Sequence, residues 1–399
     1  MSIIQLFSSM SAEQAASALR EDLNSFVRAE LERAFNDALD GEIEDFLAEA
    51  ANATGGKIYR NGYYERVLKT SYGPLSLRVP RDRMSLFKTQ MLKPYQRATS
   101  DLEYLAQRLY LEGLTLNEIT EHLASDSSLE LSRESARRFV AKLAKGAEEF
   151  RSRPLPECVV VFMDGTYVPL RRRYGDTSSV AKECIEVAIG VTKDGRRQVL
   201  DFRSVPQEGA GNWSDFLESI KTRGIGSPKL FVTDGLQGMP EAIAKWFPES
   251  KRQLCLVHVQ RNISQATRIR DRKEIMDDFK AVYTKGSRKE CDEAFEAFAS
   301  KWSKPYPKLI SSLLGKADSM FRFYEFPKAM WKSIYTSNAA ESLNATAKRK
   351  TRARIQYNSE DSALIVLAKV YEDYNRNARP ARFMLEMSEE EKKEMGFSV

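Results

Sequence analysis

The run Cys158-Val159-Val160-Val161-Phe162-Met163 constrains the fold more than any other stretch of this chain. A continuous apolar run this short and this rich in valine is read as a strand covered on both faces, not as a helix. Such a strand needs a sheet around it, and the neighbouring sequence supplies one. A linker at 174–179 leads to CIEVAIGV (184–191), and the turn Lys193-Asp194-Gly195 hands over to RRQVLDFRSV (196–205). That is a three-strand meander with a hairpin signal. A helix over 212–223, the strand KLFVT (229–233), a helix over 240–247 and a short strand QLCLVH follow. Three strands, then alternating helix and strand, describe an α/β chain built on a mixed sheet.

The acidic residues sit where such a sheet would use them. Asp164 is expected directly after the first apolar strand and Asp234 directly after KLFVT, each followed by glycine. Carboxylates at the ends of neighbouring strands converge on one edge of a sheet, the usual place for a site. Two converging carboxylates repel unless a positive charge lies between them, and hard Mg²⁺ suits carboxylate oxygens, waters and phosphate. Each aspartate taken alone also suits a turn cap after its strand. Glu341 stands near the start of a helix that begins after Thr336. Asn344, Lys348 and Arg352 follow it close to one stripe, within the basic run KRKTRAR (348–354). A metal-binding carboxylate followed by cations that grip a phosphate backbone is what phosphoryl transfer on DNA requires. For Arg352 and Arg354, a solvated basic helix end is the alternative.

Before residue 150 the pattern differs. Residues 11–53 carry apolar positions at helical spacing, with Ser11 and Gln14 as a capping box and Gly55-Gly56 as the stop. Residues 57–83 read as two short strands around Tyr72-Gly73-Pro74. There Arg60, Arg66 and Arg81 interleave with tyrosines, which suits DNA contact or a solvated hairpin packed on its own core. Residues 101–150 read as three helices. Thr115 and Glu118 box the second, and Ser132 caps a third that carries Arg133, Arg137 and Arg138. The order matches a helix-turn-helix whose last helix enters the major groove, or a helical hairpin with a basic exposed face. Residues 260–335 are helical and highly charged, an insertion or appended all-α unit. The polar tail from Asn375 is given no role.

Composition narrows the partners. The 399 residues hold 62 Lys+Arg against 56 Asp+Glu, a net charge of +6 that permits a nucleic-acid partner. The four cysteines, at 158, 184, 255 and 291, form neither a disulfide framework nor a four-cysteine zinc site. The N-terminus lacks a basic, then apolar, leader pattern, and no stretch approaches a membrane span. The expectation is a soluble, cytoplasmic, nucleoid-associated protein with no membrane partner and no small-molecule substrate.

Four stretches carry a family resemblance: RNGYYERVLKTSYGPLSLRVPRDR, MDGTYVPLRRR, VTDGLQGMPEAIAKWFPESKRQLCLVHVQRNI and IYTSNAAESLNATAKRKTRAR. In that order they resemble the mutator-type transposases of prokaryotic insertion sequences, over nearly the whole chain. The resemblance implies an RNase H-like catalytic core, interrupted by an all-α insertion and preceded by helical DNA-binding domains. It implies a catalytic, metal-binding triad of Asp164, Asp234 and Glu341, holding two Mg²⁺ ions for which Mn²⁺ can substitute. It also matches Cys255 and His258 to the family's C-x-x-H motif, and Arg261 and Asn262 to its Arg-Asn pair. With no further ligand pair at suitable spacing, Cys255 and His258 are expected to support the site or contact DNA, not to bind zinc. Asn344 and Lys348 are placed with them.

The expected domains are 1–100 and 101–150 for DNA binding, 151–260 and 336–375 for the catalytic core, 261–335 for the insertion and 376–399 for the tail. DNA contacts are expected from Arg60, Arg66, Arg81, Arg133, Arg137, Arg138, Arg349, Lys350 and Arg352. Trp302 and Trp331 suit core packing, with a stacked base as the alternative. The implied function is cleavage and strand transfer at terminal inverted repeats and target DNA, by at least a homodimer. An inactive or domesticated DNA-binding relative is the alternative. A tyrosine or serine recombinase finds no nucleophile in a recognised arrangement.

Overall fold

The computed structural model describes residues 12–54, 58–127, 129–174, 177–205, 210–235, 238–336, 338–351 and 360–398. Ser11 and the Gln14 side chain of the proposed box, the Gly55-Gly56 stop, Arg352 and Arg354 lie outside the described residues. The chain divides into two compact units, Met1–Leu143 and Ala144–Val399.

In the first unit, a long helix α1 (Ala12–Thr54) lies on an antiparallel hairpin, β1 (Arg60–Thr70) and β2 (Gly73–Asp82). Leu39 of α1 packs with Leu68, Leu75, Leu77 and Val79, which alternate onto one face of the hairpin. The helix also covers the free edge of β2. Glu32 accepts from the Ser76 N–H at 2.9 Å and Asn36 from the Arg78 N–H at 2.7 Å, so these backbone groups are not left open for pairing with another strand. Helices α2 (Ser100–Leu111), α3 (Leu116–Ser127) and α4 (Arg133–Ser152) follow, the last crossing the unit boundary. Thr115 and Glu118 exchange the two bonds of a capping box, and the Ser132 hydroxyl accepts from the Ser135 N–H, as the sequence indicates.

The second unit is built on a five-stranded mixed sheet of order β5-β4-β3-β6-β7. Its strands are β3 (Cys158–Tyr174), β4 (Thr177–Thr192), β5 (Arg197–Val205), β6 (Leu230–Thr233) and β7 (Lys251–Leu254). The first three form an antiparallel meander, and β6 and β7 join β3 in parallel. Helices α5 (Ala210–Thr222) and α6 (Met239–Trp246) bury Trp213, Phe216, Leu217 and Ile243 against the Val161 and Met163 face. The opposite face meets α13 (Asn338–Thr351) and α14 (Glu360–Arg376), where Tyr371 packs edge-on against Phe202.

Between β7 and α13 the described chain is helical throughout: α7 (Leu256–Ala266), α8 (Ile269–Tyr283), α9 (Arg288–Trp302), α10 (Pro307–Leu314), α11 (Ala317–Met320), two short 3₁₀ turns and α12 (Trp331–Ile334). This block has its own aromatic core around Phe279, Phe295, Phe298 and Phe321. The buried Gln253 side chain ties it to β7, donating to the Met320 carbonyl at 2.7 Å and accepting from the Phe323 N–H at 2.8 Å. Trp302 is buried, with its indole N–H on Asp278, and Trp331 donates to the Phe326 carbonyl.

Three local expectations are corrected. Asp164 does not end its strand: the β3–β4 register continues from Asp164↔Val187 to Tyr174↔Thr177, so the supposed linker at 174–179 includes strand on both sides. The residues CLVH are not strand: Cys255 is the N-cap of α7, and Leu256, Val259 and Ile263 form its buried stripe. The tail is not a bare polar extension. Phe383 and Phe397 are buried together, and the Ala381 and Ser398 N–H groups bond the carbonyls of Gly195 and Lys193 in the β4–β5 turn.

Candidate active site

The sheet and two helices bring Asp164, Asp234, His258, Arg261, Glu341 and Asn344 into one charge network. Asp164 lies within β3 and is only 6% exposed. One of its oxygens accepts from Asn344 Nδ2 at 2.7 Å. The other accepts from the Gly165 N–H at 3.0 Å and lies 3.9 Å from His258 Nε2. Burial, helped by the charge of Asp234, pushes the Asp164 carboxyl up to about 6, against the opposing pull of His258. Asp234 immediately follows β6, and Arg252 donates to its backbone carbonyl at 3.2 Å and to the Thr233 hydroxyl at 3.0 Å.

Glu341 sits in the first turn of α13, which packs on β3. Its carboxylate lies 2.9 Å from an Arg261 guanidinium nitrogen. The other terminal nitrogen of Arg261 lies 3.3 Å from His258 Nε2. His258 and Arg261 are one turn apart on α7, so one helix sets two cations against the acidic residues. The Cys255 sulfur beside the imidazole, with Asp164 and Asp234, raises the His258 pKa to about 9 despite burial. Cys255 itself is buried, and Asn262 is exposed on α7.

Several buried polar atoms here carry no hydrogen bond among the described residues: Thr166 Oγ1, Asn344 Oδ1 and the Tyr371 hydroxyl. Buried polar groups are normally bonded, so this concentration marks a place where further ligands or water belong. The donor set is oxygen-rich and the buried carboxyl resists ionisation without a cation, which fits a hard divalent ion. As the side chains stand, no group of three or more His, Cys, Asp or Glu among the described residues could hold one. Glu341 is instead held by Arg261.

The remaining expected residues divide by unit. Lys348 is half-buried in the last turn of α13, with Arg349 and Lys350 exposed beside it. In the first unit Arg133, Arg137 and Arg138 are exposed on α4. Arg60 pairs with Asp40, Arg66 donates to the carbonyls of Lys93 and Gln96, and Arg81 is exposed over the Tyr64 ring. Two residues were missed. Tyr371, fully buried in α14, feels the Asp164 charge and has its pKa raised chiefly by burial. Arg252 ties down the strand end that carries Asp234. Neither has a sequence signal, because one lies in an apolar helix and the other in an ordinary basic stretch.

Acidic groups that repel, joined by cations of the same chain, make this a candidate centre for phosphoryl chemistry. The chain belongs to the Mutator family of transposases, whose family model matches residues 3–380. It is 34% identical over 363 residues to the transposase for insertion sequence element IS905 of Lactococcus lactis subsp. lactis (strain IL1403), covering 90% of this chain and 91% of that one. To the transposase for IS1201 of Lactobacillus helveticus it is 33% identical over 347 residues, covering 86% and 93%. These relationships support a role in transposition. A solved structure described as the Drosophila P element transposase strand transfer complex is 10% identical, with a TM-score of 0.29 over 71% of this chain and 82% of that one. That likeness is too distant to carry an argument. No described helix is long and apolar enough to cross a membrane.

Proposed function

We propose that this protein is an insertion-sequence transposase that binds the terminal inverted repeats, cuts DNA strands there and joins them to target DNA. Asp164, Asp234 and Glu341 are its catalytic carboxylates and would hold Mg²⁺. The observation that carries the reading is the meeting of residues from three distant parts of the chain in one charge network around the buried Asp164, with Asn344 bonded to Asp164 across 180 residues of sequence. The sheet order, with its first strand at the centre of a mixed sheet, supports an RNase H-like core. The helical block between β7 and α13 then reads as its insertion.

Within this reading each side chain has a task. Asn344 and the Gly165 N–H fix the Asp164 carboxylate, so two of its lone pairs are already oriented. Protonated His258 offsets part of the Asp164 and Asp234 charge. Arg261 can exchange its contact with Glu341 for a DNA phosphate, freeing the carboxylate. Lys348, Arg349 and Lys350 hold the strand beyond the scissile phosphate. When bound, Mg²⁺ would supply Lewis-acid stabilisation of the phosphate and of the attacking water or 3′-hydroxyl. The exposed arginines of α4 bind the repeats, and two copies pair two element ends.

The test is strand cleavage and joining on labelled DNA carrying the repeats that flank the gene, comparing wild type with Glu341→Gln in Mg²⁺. The expected result is nicking at the repeat tip by wild type only, with DNA binding by both. Equal cleavage by both proteins would remove Glu341 from the centre. Binding without cleavage by either would favour an inactive DNA-binding relative.

A further inference from the structure

The first unit carries a cavity of about 890 Å³ formed by β1, the end of β2 and the loop at 85–97. Its lining holds Arg66, Lys69, Arg81, Lys88 and Arg97 against Asp82 alone, so five positive charges less one negative leave +4. Some of these charges serve the fold. Lys69 bonds the Glu130 carbonyl, and Asp82 accepts the Met84 and Phe87 N–H groups. Burial raises the Asp82 carboxyl, but those bonds outweigh it and hold the group below its ordinary value. Among the described residues, Arg81, Lys88 and Arg97 are in no ion pair, and they leave the mouth strongly positive.

The walls are apolar and aromatic. Val79 and Leu92 are buried beneath the cavity, and Tyr64 stands at its side. Tyr95 is 94% exposed, on backbone at φ 60°. That left-handed conformation is costly for a tyrosine and persists only when its surroundings enforce it. Here the enforcement is visible: Arg66 donates to the carbonyls of Lys93 and Gln96, one on each side of Pro94-Tyr95. A guanidinium that could have met a phosphate instead clasps a loop, and the product is a protruding aromatic ring beside a cationic, apolar-floored cavity.

We propose that this cavity takes one unstacked nucleotide of a DNA strand, its base against Tyr95 and the apolar floor and its flanking phosphates on Lys88 and Arg97. The inference rests on the DNA-binding reading above and adds the ligand class, because a base paired and stacked in duplex cannot reach a pocket. Aromatic stacking is indifferent to base identity, so the site selects for strand opening and not for sequence.

The experiment measures fluorescence anisotropy of the full chain in EDTA, with a labelled oligothymidylate of about twelve nucleotides and, separately, a repeat-bearing duplex. Tyr95→Ala should weaken oligothymidylate binding about tenfold, and Tyr95→Phe should restore it. Lys88→Gln and Arg97→Gln should each reduce the slope of log K against log salt by about 0.7. Duplex affinity should change less than about twofold throughout. Unchanged oligothymidylate binding in Tyr95→Ala overturns the proposal, and so does equal competition by polyglutamate, which would assign the cavity to an acidic peptide. Failure of wild type to bind the repeat duplex would count against the transposase reading, and the oligothymidylate result would still decide the cavity.

Discussion

Replacing Asp164 with asparagine should make the metal-free protein more stable. In the folded chain the carboxyl is raised from 3.8 to about 6, chiefly by burial. A shift of about two pKa units corresponds to roughly 3 kcal/mol against the ionised form. Because the folded form binds the proton more tightly, the penalty is complete above about pH 6, fades as the pH falls towards 3.8 and is absent below. Asparagine has no charge to bury and nearly the same shape. Its oxygen can keep the Gly165 N–H, and its NH₂ can meet Asn344 once that amide turns over, since Asn344 Oδ1 has no partner among the described residues. For a unit of this size the gain corresponds to roughly 5–10 °C in Tm at about pH 7.5. By about pH 5 the free-energy advantage should fall to roughly half. Thermal melts of both proteins in EDTA at the two pH values test this directly. An Asp164→Asn variant that melts at or below wild type near pH 7.5, or an advantage that does not shrink near pH 5, would falsify the claim that the site stores its cost in this one buried charge.

Gly195→Ala should destabilise by about 1–3 kcal/mol, because Gly195 has φ 77° and a Cβ there would stand 2.6–2.9 Å from Met384 side-chain atoms. Limited proteolysis should then release the tail, and an unchanged melt and digest would show that the tail does not brace the β4–β5 turn. Trp302→Ala should cost about 3–5 kcal/mol in urea unfolding, while Trp302→Phe loses far less and leaves DNA affinity intact. A loss of DNA affinity at full stability would instead mark Trp302 as a base-stacking residue. Asp201→Ala should cost about 3–5 kcal/mol, since it strands Arg223, whose guanidinium lies 2.8 Å from the carboxylate with both side chains nearly buried. Replacing both residues by apolar ones of similar volume should cost much less, and equal losses in the single and double variants would contradict the ion-pair account.

What could be read without the structure follows from the range of each signal. The meander and the two parallel strands were legible because continuous valine-rich runs and one Asp-Gly turn are local signals. The Thr115–Glu118 and Ser132 caps were legible for the same reason. Asp164 was misplaced because Asp-Gly also reads as a turn, although Thr166 and Val168 are buried around exposed Tyr167 and so continue the strand's alternation. CLVH was misread because a short apolar run has no period of its own. The helical stripe emerges only when Ile263 is counted with Leu256 and Val259. The three acidic positions were visible through their surroundings and the family pattern, but their engagement was not. Nothing in the spacing says that Arg261 reaches Glu341, that Asn344 grips Asp164, or that an apolar helix presents Tyr371 beneath the site. These are long-range pairings decided by how α7, α13 and α14 pack on one sheet. They also bear on the proposed chemistry. In the structure the acidic centre is assembled against the chain's own cations. In the proposed chemistry, a DNA phosphate that took Arg261 from Glu341 would remove positive charge there, so the repulsion between the carboxylates would grow and favour entry of a divalent cation.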